Sequence, residues 1–156
     1  MKTILFIRHA KSDRPEFVSD FKRTLAERGR EDAKRAAIRL PKEFLPDRII
    51  TSAALRARET AEIFAQTLKL ADRLMIEDSI YNADNYLPIV QKIDDQYSTV
   101  FFVGHNPAIT EACELLTGNF PLRMRTCSVY GVRFALDSFT AIEKLSGSEV
   151  YFDFPK

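Results

Sequence analysis

Two continuous apolar runs, Thr3-Ile-Leu-Phe-Ile7 and Ser98-Thr-Val-Phe-Phe-Val103, constrain this chain most. Neither alternates apolar and polar residues as a strand with one wet face would, and both are rich in β-branched and aromatic side chains. Each reads as a strand buried on both faces, which requires helices on either side of the sheet. Between and after these runs the period switches repeatedly. Thr24-Leu-Ala-Glu27 has the form of a capping box with Thr24 as N-cap, and Ala33, Ala36, Ala37 and Leu40 supply the apolar face of the helix it opens, which should stop at Pro41. Asp47 to Ser52 is a short second strand, and Ser52 reads as the cap of a helix running to about Leu68. A weaker strand over Leu74–Glu77 and a helix over Leu87–Ile93 follow. Asn106-Pro107 opens another helix, as N-cap and N1 proline, and Gly118 closes it. Cys127 to Leu145 reads as two strands around Asp137-Ser138, an antiparallel pair at the sheet edge. This alternation predicts a three-layer α/β/α sandwich with a largely parallel central sheet, in one domain spanning 1–156.

Composition excludes several function classes. Hydrophobic residues make up 46% and charged residues 29%, and 23 basic against 22 acidic side chains leave a formal charge of +1, so no long-range pull on nucleic acid is implied. The apolar runs are too short to span a bilayer, and the N-terminus lacks the apolar region and cleavage site of a signal peptide, so a cytoplasmic protein without membrane contact is expected; a monomer is the expectation for its assembly, which no sequence feature fixes. Cys113 and Cys127 lack the spacing of a disulfide framework or a thiolate metal site, and Cys113, at helical spacing with Ile109 and Leu116, reads as a small core residue.

In an open parallel sheet, ligands bind beyond the carboxyl ends of the strands. Arg8 and His9 end the first strand, Ser52 to Arg56 follow the second, and Gly104-His105 ends the second apolar run, so both histidines of the chain and at least two arginines meet one edge. Burying them requires a compensating carboxylate or an anion, and no acidic residue lies within Ile4–Lys11 or Val100–Thr110. At about 100° per residue, Ala57, Ala61, Phe64 and Leu68 form the inner stripe of the helix after Ser52. Arg56 shares its flank with Thr60 and Ile63, whereas Arg58 lies on the opposite flank with Glu62 as a surface partner worth ~0.3 kcal/mol. Arg56 has no such partner. It lies in the first helical turn, where exposed N–H groups also favour an anion.

Ile7-Arg-His-Ala10 resembles the R-H-G signature of the histidine phosphatase (phosphoglycerate mutase-like) superfamily. Ser52 to Thr60 resembles its S-x-x-x-R-A-x-x-T segment, and Val103-Gly-His-Asn-Pro107 its second-histidine motif. Arg-His-Ala-Lys-Ser12, Arg23-Thr-Leu25, Ile80-Tyr-Asn-Ala83 and Gly-His-Asn-Pro107 are similar to its short branch, the SixA-type phosphohistidine phosphatases. The likeness covers about Ile4 to Gly118, and Arg125 to Phe134 fits only loosely.

The resemblance implies His9 as a nucleophile that attacks phosphorus to give a phosphohistidine enzyme, which water then hydrolyses. Arg8, Arg56 and His105 would hold the three equatorial oxygens, with Arg23 a further arginine near the phosphate and Asn106 beside it. No metal and no cofactor is implied. His105 would need a bound anion to keep a proton. Ala10 departs from the motif glycine but stays small. The glutamate that larger members carry as general acid has no clear counterpart, Glu77 and Asp78 being the candidates. A missing acid would damage hydrolysis of alkyl phosphate esters far more than that of phosphohistidine, whose imidazole can be protonated before the P–N bond breaks. Connections too short for a lid leave an open groove suited to a phosphorylated side chain on another protein. The expected function is dephosphorylation of phosphohistidine on a protein such as a phosphotransfer domain, releasing phosphate. A broad small-molecule phosphomonoesterase and a non-catalytic phosphate- or phosphoprotein-binding module are the alternatives.

Overall fold

The computed structural model describes residues 1–156. Six strands form one sheet: β1 (Lys2–Arg8), β2 (Arg48–Thr51), β3 (Leu74–Ile76), β4 (Thr99–Gly104), β5 (Val129–Phe134) and β6 (Gly147–Asp153). Their order is β3-β2-β4-β1-β5-β6. The first four are parallel, and β5 and β6 run antiparallel at one edge. Helices α1 (Glu27–Arg39), α2 (Leu55–Thr67), α3 (Leu87–Val90) and α4 (Ala108–Thr117) cover the two faces.

The strand period of two explains why β1 and β4 had to be apolar throughout. Leu5, Ile7, Phe101 and Val103 point to the face that packs on Ala33, Ala36 and Ala37 of α1 and Ala57, Ala61 and Phe64 of α2. Ile4, Phe6, Val100 and Phe102 point to the other, against Ile109, Cys113 and Leu116 of α4. The mixed three-layer architecture is therefore as expected, and both cysteines are free and buried. No helix is long and apolar enough to cross a membrane.

Four local expectations give way to tertiary contacts. Thr24 does not cap α1, whose N-cap is Ala26 without a side-chain bond. An isolated bridge between Ser12 and Leu25 holds this stretch extended, and the Thr24 hydroxyl donates to Glu59 on α2. Ser52 does not sit at the N-cap of α2, which is Ala54, although its hydroxyl accepts the Ala54 N–H at 3.2 Å. Asn106 does not cap α4 either. Pro107 holds that position, while the Asn106 amide donates to the Met124 carbonyl and its oxygen accepts from Thr110. Residues 138–145 are not a strand: Phe139–Ala141 form a 3-10 turn that buries Phe139, and Ile142 is buried with it, so the last strand lies further on at Gly147–Asp153.

Gly29 in α1 looks like a helix weakness, since glycine there costs roughly 0.5–1 kcal/mol against alanine. A Cβ at Gly29 would, however, lie 2.1 Å from the carbonyl oxygen of Lys11 and 2.9 Å from its nitrogen. The same Lys11 carbonyl accepts the Ala26 N–H at 2.9 Å, so α1 grips the loop that follows β1. Gly29→Ala should therefore destabilise by about 1–3 kcal/mol, as overpacking does, instead of giving the usual helical gain. Chemical denaturation of the two proteins measures this. A variant more stable than the parent would show that the loop yields freely.

Candidate active site

The register of three neighbouring strands assembles the site. Arg8 pairs with Gly104 across β1 and β4, and Thr51 pairs with Val103 across β2 and β4. The residues immediately after these ends, His9, His105 and Ser52, therefore stand in a row. The His9 N–H donates to the Gly104 carbonyl at 3.1 Å, and the two imidazole centroids lie 5.4 Å apart. Both histidines are 8% exposed and Arg56 is 7% exposed, so three ionisable side chains are buried together.

A cavity of about 290 Å³ opens above them, lined by Arg8, His9, Lys11, Ser12, Arg14, Arg23, Arg56, His105, Asn106 and Thr126. None of these is apolar, none is a carboxylate, and five are arginine or lysine. A larger, half-apolar cavity of about 440 Å³ lies elsewhere, bounded by Ile50, Met75, Glu77 and Ile89, and it brings no histidine or arginine together.

Hydrogen bonding sets the state of His9. Its Nδ1 lies 2.8 Å from the Ala10 carbonyl oxygen, which can only accept, so Nδ1 carries the proton. Nε2 is then a bare lone pair, and it receives the Arg56 Nε–H at 3.3 Å. Burial, above all, pushes the His9 pKa down to about 3 against an ordinary 6.5, with His105 and the arginines adding repulsion. His105 is pushed down to about 4, again by burial first and then by Arg56. Its Nε2 lies 2.7 Å from the Ser52 hydroxyl, while its Nδ1 is buried without a partner, as is Nε of Arg8. An unpartnered guanidinium N–H buried beside surplus positive charge is costly, and an anion in the cavity would relieve both.

Supporting residues hold this arrangement. The Thr60 hydroxyl accepts the Ala10 N–H at 3.0 Å and donates to the Arg56 carbonyl, tying α2 to the loop after β1. Tyr86 accepts the His105 N–H at 2.9 Å and donates to the His105 carbonyl at 3.3 Å. It can come so close because Gly104 has no Cβ, which would fall 2.7 Å from the Tyr86 oxygen. Arg8 donates to the Met124 carbonyl at 3.0 Å.

Arg56 has no acidic partner on its own helix, as expected, but it finds one in the loop after β1. Its Nη2 meets an Asp20 carboxylate oxygen at 3.2 Å, and its Nη1 donates to the Asp20 carbonyl at 2.8 Å. The same carboxylate takes the Tyr81 hydroxyl at 2.7 Å and Arg23 Nη1 at 2.9 Å. These donors, Tyr81 foremost, hold the Asp20 carboxyl far below the usual carboxylate range. Asp20 lies in a polar loop that offers no periodicity. The one signal was its place three residues before Arg23, a spacing without meaning until the loop folds. Arg58 makes no ion pair with Glu62; α2 instead uses Glu59, which pairs with Arg30 at 2.7 Å. Glu77 and Asp78 do not line the His9 cavity: Glu77 accepts from Ser79 and borders the half-apolar cavity. Arg23 and Asn106 do reach it.

The depressed pKa values fix a pH dependence of stability. Between pH 6.5 and about 4 the unfolded chain binds protons at both positions that the folded chain refuses. Their contribution is therefore complete above pH 6.5 and shrinks as pH falls toward 3. The melting temperature should be level from pH 7 to 8 and decline below 6.5, and a His9→Gln, His105→Gln double variant should lose most of that decline over pH 4–6.5. An unchanged slope would mean that the imidazoles are not held neutral.

Residues 4–79 match the sequence model of the histidine phosphatase superfamily (branch 1). No curated protein matches the chain in sequence. Among solved structures, one assigned as the phosphohistidine phosphatase SixA of Agrobacterium tumefaciens superposes with a TM-score of 0.81 at 22% identity, covering 99% of each chain. The protein histidine phosphatase SixA complexed with tungstate gives 0.80 at 17% identity, covering 97% of this chain and 96% of the other. A mycobacterial glucosyl-3-phosphoglycerate phosphatase gives 0.68 at 16%, covering 99% and 98%. Residues 4–79 thus match the superfamily's sequence model, and the whole chain shares the fold of these structures.

Proposed function

We propose that this chain, with the sequence pattern of the histidine phosphatase superfamily in its first half and the SixA fold throughout, dephosphorylates phosphohistidine on a protein through a phosphohistidine enzyme intermediate. The observation that carries the reading is the unprotonated Nε2 of His9, which accepts the Arg56 Nε–H while the other ring nitrogen is committed to the Ala10 carbonyl, on a side chain that lines a cavity of polar and cationic groups only. His9 Nε2 attacks phosphorus in line, and the bond to the leaving nitrogen breaks as that imidazole takes a proton from solvent. Arg8, Arg56 and His105 hold the equatorial oxygens, with Arg23 and Asn106 at the margin. Phosphate dianion raises the proton affinity of His105, which then donates to it. Water next attacks the phosphorus of the phosphoenzyme, His9 leaves, and inorganic phosphate departs. Tungstate, named with one SixA neighbour, is an oxyanion of the kind such a cavity suits.

The choice of substrate rests on acid supply. The carboxylate that contacts two of the cavity's arginines, Asp20, is held ionised by Tyr81, Arg23 and Arg56 and has no proton to give at neutral pH. One observation favours the small-molecule alternative. An adjoining groove of about 490 Å³, sharing His105 and Asn106 with the cavity, contains Asp84 and Glu111, and the mycobacterial neighbour is named for glucosyl-3-phosphoglycerate, a small-molecule alkyl phosphate. A general acid for an alkyl ester would come from there.

Relative turnover of two substrate classes is the discriminating measurement: a phosphohistidine-bearing phosphotransfer domain should lose its phosphate far faster than an alkyl phosphate ester does. Ester rates should rise steeply with leaving-group acidity, and exhaustive chelation should leave all rates unchanged. Efficient alkyl ester hydrolysis that falls in Asp84→Asn or Glu111→Gln would select the small-molecule reading. Loss of activity in chelator, restored by zinc or magnesium, would overturn the metal-free chemistry. Tight phosphate binding without turnover or phosphoenzyme would leave only a binding module.

A further inference from the structure

The loop between β1 and α1 carries an apolar tip beside the cavity. Phe17 is fully exposed, and Val18 and Phe21 are each 41% exposed, so three of the nine exposed large apolar side chains crowd into five residues. The other six are scattered along the chain. Phe17 also has a φ of 64°, a left-handed backbone that bulky side chains seldom adopt. Its ring is held away from every core residue.

The loop is nonetheless pinned. The Asp13 N–H donates to the Thr24 carbonyl at 3.0 Å, closing the base. Asp20 binds Arg56 and Arg23, and Phe21 stacks edge-on against Tyr81 at 4.9 Å. Ser12, Arg14 and Arg23 on the same segment line the cavity. The apolar tip is therefore continuous with the site and fixed relative to it. Lys11 and Arg14 are exposed and extend the positive charge of the cavity wall beyond what a single phosphoryl group needs.

We propose that this loop is the docking element for the protein substrate: Phe17 and Val18 pack on an apolar patch beside the partner's phosphohistidine, and Lys11 and Arg14 face acidic side chains around it. The inference rests on the reading of the site as a protein phosphohistidine phosphatase. It goes further by locating the contact that distinguishes a phosphoprotein from a free phosphorylated imidazole. Apolar anchors and flanking cations are the groups that dominate such contacts.

The test compares two substrates, free phosphohistidine and a phosphohistidine-bearing phosphotransfer domain, on the parent and on a Phe17→Asn, Val18→Ser variant. Asparagine suits the left-handed backbone, so the fold should be kept. The variant should lose about tenfold or more in kcat/KM on the protein substrate, mostly through KM, as removal of two buried apolar anchors predicts, while free phosphohistidine is unaffected. Equal losses on both substrates would mean that the loop only shapes the cavity, and no loss on either would mean that it does not dock; both overturn the proposal. A parent that prefers free phosphohistidine over the domain also overturns it, with the catalytic reading intact. Turnover of neither substrate sinks the catalytic reading, and docking with it. Sedimentation with phosphatidylserine vesicles supplies the remaining arm: binding lost in the variant, with protein-substrate kinetics unchanged, would reassign the tip to a membrane surface.

Discussion

His9→Ala should release no phosphate and take up no label, whereas His105→Ala should turn over slowly yet still label. Brief reaction of the parent with labelled substrate, followed by quenching, should leave phosphate on the protein in an acid-labile, base-stable form, as expected of a P–N bond. Alanine at position 9 removes the atom that forms that bond, and the neighbouring imidazole of His105, 5.4 Å away, has its Nε2 engaged by the Ser52 hydroxyl. Alanine at 105 removes a hydrogen-bond donor to a transferring oxygen, a loss of ~2.7–4 kcal/mol in comparable sites, and leaves the bond-forming atom intact. Label persisting in His9→Ala would move the nucleophile elsewhere. The depressed pKa of about 3 adds a pH signature: His9 stays neutral far below 6.5, so kcat/KM should show no loss from its protonation at pH 5.

Arg56→Ala should cost about two orders of magnitude or more in turnover, in line with removing a transition-state donor, while Arg58→Ala should stay near the parent. Arg56 is 7% exposed, donates to His9 Nε2 and lines the cavity, whereas Arg58 does neither. The loss should exceed that of a single donor, because Arg56 also anchors Asp20 and hence the loop beside the site. Steady-state kinetics on both variants settle it, with the reversed order placing the wrong face of α2 toward the substrate.

How much of this could be read beforehand differs from residue to residue. The helix face of Arg56 follows from a 100° step applied to Ala57, Ala61 and Phe64, and the structure buries that stripe. Its partner does not follow, because Asp20 reaches it across 36 residues from a loop whose shape depends on the whole site. Thr24, Ser52 and Asn106 each carry the chemistry of an N-cap, yet each has its side chain used by a group distant in sequence: Glu59, His105 and Met124 respectively. Capping preferences amount to about 1 kcal/mol, and a buried polar contact elsewhere overrides them readily.

The amino-acid sequence by itself determined the layers and the strand ends. Uninterrupted apolar runs can be satisfied only by burial on both faces, and that forces helices above and below and directs Arg8, His9, Arg56 and His105 to one edge. Gly29, Gly104, Tyr86 and Asp20 acquired meaning only in the tertiary structure. Their roles are close approaches and hydrogen bonds between segments remote in the chain, set by strand order and register, and no local pattern of residues encodes a distance across a sheet.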